Sequence, residues 1–124
     1  TSGLNKLQKL LDRNAFWAKS RTIDDLKKCL ANSDVIVSVW VGNEIVGFGR
    51  ALTDGVYRGV LWDIVIDQNH QGNGYGSLIV RNLLSSKKIK NTKKIYLMTT
   101  NKNLFYSQFD FNEVTAQNLL IREI

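Results

Sequence analysis

The sequence predicts an α/β (α+β) domain with a mixed central β-sheet and helices on both faces, an antiparallel meander leading into a β-α-β-α-β succession. Three observations carry this. Leucines recur at helical spacing near the start, two β-branched runs are separated by a turn of hairpin length, and a long apolar run is followed by a glycine-rich turn and a second helical pattern. A β-α-β step requires a right-handed crossover with the helix covering a parallel pair.

Leu4, Leu7, Leu10 and Leu11 set a first amphipathic helix that runs to about Asn14. Thr22 offers an N-cap with Asp25 three residues on, and Ile23, Leu26 and Leu30 form the apolar face of a second helix that ends at Asn32 and Ser33. Val35 to Val41 and Ile45 to Leu52 read as strands joined through Gly42, Asn43 and Glu44, where Gly-Asn suits the positive backbone angles of a tight turn. After the turn at Thr53, Asp54 and Gly55, Tyr57 to Asp67 reads as a central strand buried on both faces. A helix follows from Gly74 to about Ser86, then a strand from Ile95 to Thr99, a short helix from Lys102 to Phe109, and one or two last strands from Phe111 onward.

The 124 residues suit a single domain, 1–124. Hydrophobic residues at 44% and charged residues at 23% exclude a disordered chain, and no apolar run reaches the length of a membrane span. No charged-then-apolar leader opens the sequence, so a cytoplasmic location is expected, or the plastid stroma for a plastid-derived protein. The one cysteine, Cys29, fits an ordinary packed side chain beside Leu26 and Leu30. The net charge of +6 favours an anionic partner, either a phosphorylated cofactor or nucleic acid. The densest basic stretch, Lys87, Lys88, Lys90, Lys93 and Lys94, has no interleaved aromatic residues and reads as a solvated helix end, which makes nucleic acid the weaker candidate.

Three of the nine glycines fall between residues 72 and 76, just ahead of a helix. Glycine there permits unusual dihedrals or a close approach to the backbone. Gln71, Gly72, Asn73, Gly74, Tyr75, Gly76 and Ser77 lie between the strand ending at Asp67 and the helix carrying Leu78, Ile79, Leu83 and Leu84. The first amides of that helix are unpaired and its dipole is positive at this end, so the loop can cradle a pyrophosphate. A dinucleotide fingerprint would place its glycines early in the fold, and a P-loop would end in Gly-Lys-Ser or Gly-Lys-Thr; neither pattern is present.

Gln71, Gly74 and Gly76 match the Q-x-x-G-x-G pattern of the GNAT superfamily of acyl-CoA N-acyltransferases, which the chain resembles over roughly residues 20 to 115. Leu61-Trp62-Asp63-Ile64-Val65-Ile66-Asp67 is similar to the strand before that family's loop, and Leu104 to Phe111 to its F-Y-x-x-x-G-F segment. The wording of the strand is most similar to the cyanobacterial and plastid branch, which includes plant enzymes acetylating serotonin-like arylalkylamines. Asp110 stands where the pattern has glycine, the stretch between Thr100 and Tyr106 is about one residue short, and the family's first strand has no counterpart before Leu4, which suggests a truncated start.

The resemblance implies acetyl-CoA as cosubstrate, no metal, and a primary amine as acceptor, either a small molecule or a protein amino group. It leaves a homodimer open, since the last strands often exchange or pair between subunits in this superfamily. Backbone groups of Ile64, Val65 and Ile66 would pair with the pantetheine arm, one of their amides would face the tetrahedral oxyanion, the loop residues Gln71 to Ser77 would hold the pyrophosphate, and Asn103 or Asn101 would touch the cofactor. Tyr106 would be the acid for the departing thiolate.

An alkyl amine of pKa about 10.4 is neutral in only about one molecule in 2,500 at pH 7, a penalty of roughly 4.6 kcal/mol, so a base is useful. The glutamate that serves many relatives is matched here by Met98. That leaves Asp63, His70 or water. A carboxylate in an apolar central strand needs a purpose or a partner, and for Asp63 the partner would be a neighbouring backbone group or Arg50. Phe16, Trp17 and Tyr57 fall in segments that border the acceptor cleft in the family, which would favour an arylalkylamine. Two other readings stay open: a non-catalytic CoA-binding module, motivated by Asp110 and the missing glutamate, and a basic nucleic-acid-binding domain, motivated by charge alone.

Overall fold

In the computed structural model, which describes residues 2–124, helix α1 (Ser2–Asn14) leads into a short 3-10 turn (Phe16–Ala18) and helix α2 (Ile23–Ala31). The expected cap forms: the Asp25 amide donates to Thr22 Oγ1 at 3.1 Å. Such a cap contributes about 1 kcal/mol, and Asp24 and Asp25 complement the helix dipole in the same turn.

Four strands follow, β1 (Val35–Val41), β2 (Glu44–Thr53), β3 (Arg58–Ile66) and β4 (Lys94–Tyr96), in sheet order β1-β2-β3-β4. The first two pairings are antiparallel and the third is parallel, with α3 (Tyr75–Ser85) as the crossover and α4 (Asn103–Ser107) after β4. Gly42, at φ 60°, makes the β1-β2 hairpin turn as its sequence suggests. Asp54 organises the next turn, its Oδ1 accepting from the amides of Val56, Tyr57 and Arg58 at 2.8, 2.7 and 3.2 Å.

Helices cover both faces. On one, Leu7, Leu10, Leu11 and Leu26 of α1 and α2 pack with Phe48 and Val65; on the other, Ile79 and Leu83 of α3 pack with Ala51, Leu61 and Ile89. Gly49 lets α3 press on β2, because a Cβ there would meet Ile79 Cγ2 at 2.7 Å. Among the described residues, no helix is long and apolar enough to cross a membrane.

The β2-β3 ladder carries one irregularity. Phe48 pairs with Val65 but Arg50 with Trp62, so Gly49 alone stands opposite both Asp63 and Ile64. This is a β-bulge, and Asp63 takes φ 53° within it, a left-handed value that aspartate tolerates better than most residues. The extra residue explains how Leu61 faces α3 while Val65, an even number of positions on, faces α1.

Two expectations are corrected. The strand expected over Ile95 to Thr99 is only Lys94–Tyr96, because its pairing with β3 ends at Val60 opposite Tyr96. No strand forms after Phe111: a strand exists only through its partner's hydrogen bonds, and three residues of β4 offer little edge to extend. Val114, Leu119, Leu120 and Ile121 are exposed, so burial does not fix that segment either. The succession therefore ends at β-α-β-α.

Candidate active site

The loop between β3 and α3 has the backbone geometry its glycines suggest. Gly72 and Gly74 take φ 85° and 80°, and Gly74 is the N-cap of α3. No oxygen of the described residues accepts a hydrogen bond from the amides of residues 72 to 77, and the first turn of α3 contains no acidic side chain to neutralise its dipole. A Cβ at Gly72 or Gly74 would meet nothing within 4 Å, so the space above both is open. Gln71 and Asn73 brace the loop through Ile66 and His70 carbonyls at 3.5 and 3.2 Å, and Tyr75 and Ser77 are half-buried in the first turn of α3. These free amides fit a diphosphate. Gly74→Ala forces a side chain into the left-handed region at about 1 kcal/mol or more and disturbs the cap; acetyl-CoA affinity measured by calorimetry is expected to fall several-fold.

Beyond the Val60–Tyr96 pair, β3 and β4 part and leave the β4-facing edge of β3 open. The Asp67 backbone amide donates to Val46 O at 2.8 Å across directly opposed positions, which makes that a hydrogen-bonded pair. Alternation then turns the backbone groups of Val65 toward β2 and those of Ile64 and Ile66 toward the open edge. Of the three residues expected to pair with a cofactor arm, these two turn their groups to that edge, where the Ile66 carbonyl also accepts from Gln71 Nε2 at 3.5 Å.

Helix α4 sits against the head of α3. A Cβ on Gly76 would lie 3.2 Å from Phe105 Cζ, so Phe105 packs on the loop's last glycine. Tyr106 stacks edge-on with Phe105 and Phe111, at centroid distances of 5.0 and 6.1 Å. Burial raises its pKa above the usual phenol value, so the hydroxyl keeps its proton. Asp110, standing where the family pattern has glycine, adopts φ 67°: it supplies the left-handed residue that ends the helical turn, so the departure leaves the backbone path intact. Asn103 opens α4 at the surface, with its side-chain amide 3.4 Å from Glu113. Asn101 and Met98 are exposed as well.

Asp63 is tied down from three directions. Its carboxylate accepts from Trp17 Nε1 at 3.0 Å, from Arg21 Nη1 and Nη2 at 2.8 and 3.2 Å, and from Arg50 Nε at 2.8 Å, with only 4% of the side chain exposed. Burial pushes its pKa up, but the hydrogen bonds and charges of Arg21 and Arg50 outweigh that and hold it below the ordinary value. Four donors occupy the lone pairs a base would use, so the geometry favours the anchoring alternative over proton abstraction. Arg50 was legible as a partner from the sequence. Arg21 and Trp17, 42 and 46 positions away, carry no local signal.

His70 forms a second brace: Nδ1 lies 3.0 Å from Asp67 Oδ2, while Asn14 donates to Asp67 Oδ1 at 3.2 Å and accepts from the Gln68 amide at 3.0 Å. The hydrogen bond with His70 is the leading reason that the Asp67 pKa is lowered. This network fastens α1 to the approach to the loop. Phe16 and Trp17 form an edge-on pair with centroids 5.1 Å apart and are largely exposed. Tyr57 is separate from them, at the start of β3 beneath Lys93.

A sheet that opens between two parallel strands, with a helix head and its free amides at the end of the opening, defines a protein shaped to receive an extended, diphosphate-bearing chain. The chain belongs to the acetyltransferase (GNAT) family, whose model matches residues 4–111. Over 101 residues it is 33% identical to an uncharacterized ycf52-like N-acetyltransferase of Prochlorococcus marinus, covering 78% of this chain and 55% of that protein. It is 31% identical over 84 residues to the chloroplastic serotonin N-acetyltransferase 2 of rice, Oryza sativa subsp. japonica, covering 62% and 40%. The chain thus spans about half the length of the curated relatives it matches. Among solved structures, a GNAT-family protein of Xanthomonas campestris superposes with TM-score 0.83 at 19% identity over 100% of this chain and 89% of that one. Rv2747 of Mycobacterium tuberculosis, solved in complex with CoA, superposes with TM-score 0.71 at 17% identity over 91% and 68%. At these identities the structural likeness shows the fold.

Proposed function

We propose that this chain transfers an acetyl group from acetyl-CoA to a primary amine by direct attack of the amine on the thioester, with an arylalkylamine as the favoured acceptor. The observation that carries this is the row of unengaged amides at residues 72 to 77 at the end of a strand whose outer edge is open. Bound there, acetyl-CoA supplies an activated acetyl thioester. The loop amides hold its diphosphate, the edge groups of Ile64 and Ile66 align the arm, and Tyr106 Oη donates toward the leaving sulfur. With Asp63 engaged, the acceptor's proton passes to water. The arylalkylamine preference draws on the exposed Phe16–Trp17 pair and on the similarity to the rice protein named for serotonin acetylation. A cytoplasmic or plastid location is consistent with this reading.

Acetyl-CoA at a hundred times its Kd should stabilise the protein by about 2.7 kcal/mol, which for a domain of this size raises Tm by roughly 10 °C. Scanning fluorimetry at millimolar acetyl-CoA tests this; an unchanged Tm overturns the reading. A raised Tm with no thioester consumption across tryptamine, polyamine and peptide acceptors would leave a CoA-binding module instead.

A further inference from the structure

We propose that the rim where α3 ends and β4 begins binds single-stranded nucleic acid, on a surface separate from the acetyl-transfer site. The positive charge of the chain is gathered in the segment that builds this rim. Residues 68 to 109 include seven basic residues and no acidic one, which leaves ten basic and eleven acidic residues for the rest of the sequence. Arg81, Lys87, Lys88, Lys90, Lys93 and Lys94 are all exposed, and among the described residues no carboxylate forms an ion pair with any of them. Along this end of the sheet, Asp34 precedes β1, Asp54 follows β2, Arg58 opens β3 and Lys94 opens β4, so the charge changes sign at β3. One cation would complement the negative end of the α3 dipole, and the cluster exceeds that need.

The lysines stand on a fixed turn. Ile89 is fully buried in the cluster that holds Ile79 and Leu83, the Ile89 and Lys90 amides donate to Ser86 O at 3.1 and 2.9 Å, and Thr92 Oγ1 lies 3.0 Å from Thr53 Oγ1. With Ile89 and Thr92 directed inward, Lys87, Lys88 and Lys90 are left in solvent. Helix α3 has 11 residues and so a length of about 16 Å, which separates this turn from the amides at the other end of the helix. The cluster is therefore no part of the diphosphate cradle.

Along the sequence the lysine run has no aromatic residue among its members, but the fold supplies two. The amides of Lys93 and Lys94 donate to the carbonyls of Val56 and Tyr57 at 3.1 Å each, and Lys93 Nζ lies 5.4 Å from the centre of the Tyr57 ring, which is 62% exposed. Tyr96 follows Lys94 by two positions, with the Arg58 guanidinium 5.6 Å from its ring. On the outer side of α3, a shallow groove of about 480 Å³ is lined by Arg81, Asn82, Leu84 and Ser85 and ends two residues short of Lys87. The planar fork of Arg81 suits phosphate oxygens. Charge alone would draw an anionic membrane or an acidic peptide equally well. Exposed rings flanked by cations favour a strand whose bases can stack while its phosphates meet the lysines.

Fluorescence anisotropy with a labelled, unstructured RNA of about 15 nucleotides tests this. The expected Kd lies between about 1 and 100 μM at physiological salt, and neutralising about five phosphates gives log K a slope of roughly −3 to −4 against log salt. Replacing three lysines together, Lys87→Gln, Lys90→Gln and Lys94→Gln, should flatten that slope by about 2 and leave the acetyl-CoA-dependent rise in Tm unchanged. Tyr57→Ala should weaken binding about tenfold, and Tyr57→Phe should restore it. Saturating acetyl-CoA should leave the RNA Kd where it was. Displacement of RNA by acetyl-CoA, an unaltered slope in the triple variant, or binding of polyglutamate or phosphatidylglycerol vesicles as tight as that of RNA overturns the assignment. If Tyr57→Ala does not fold, the lysine variant and the competition decide. Absence of RNA binding beside an intact acetyl-CoA thermal shift overturns this surface alone, whereas RNA binding without that shift overturns only the transfer reading.

Discussion

Tyr106→Phe should lower kcat about a hundredfold or more while leaving the acetyl-CoA-dependent rise in Tm in place, since a positioned proton donor contributes roughly 10² to 10⁴ in rate. The substitution keeps the ring that packs with Phe105 and Phe111 and removes only the hydroxyl. Burial raises the phenol's pKa, so the group is fully protonated at neutral pH and remains so to a higher pH than a free tyrosine. The same shift makes complete transfer to a thiolate of pKa about 8.5 uphill, so in the proposed reaction Tyr106 would act by hydrogen bonding to the developing charge. Equal kcat for Tyr106→Phe and the parent protein would remove Tyr106 from the chemistry and leave it as packing.

The second large effect is on stability. Asp63→Asn replaces a buried carboxylate with an amide whose NH₂ faces guanidinium donors, and breaking a buried pair on one side costs about 3 kcal/mol or more. Urea unfolding should show the unfolding free energy lowered by that amount, seen as an earlier midpoint at an unchanged slope. The folded pKa of Asp63 is depressed, so its contribution is present above the ordinary carboxylate range and is lost as pH falls through the folded value; the parent protein should weaken in acid below about pH 4 more steeply than the variant. A catalytic base would behave differently: Asp63→Asn would abolish turnover and leave the urea midpoint where it was.

How much of this could be read from the chain depends on how local each determinant is. The Thr22 cap, the Gly42 turn and the glycine loop at 72 to 76 are set by residues within a few positions of one another, and all three take the expected form. The Asp63 cluster is assembled from three segments, and only the partner on the adjoining strand was apparent beforehand. Strands after Phe111 failed for the complementary reason: β-branched composition at Val114 or Ile121 expresses a preference, but only an available edge converts it into a ladder. Asp110 shows a third case, in which a residue that breaks a sequence pattern keeps the dihedral the pattern exists to secure.

β3 holds one residue more than β2 can match, and that surplus position is Asp63. Excising it would restore an uninterrupted zipper of main-chain bonds with every other residue of β3 still facing its present layer, so the architecture has no need of the insertion. What the supernumerary residue adds is a charge at the heart of the sheet and a crimp in the strand three positions beyond its last pairing with β4.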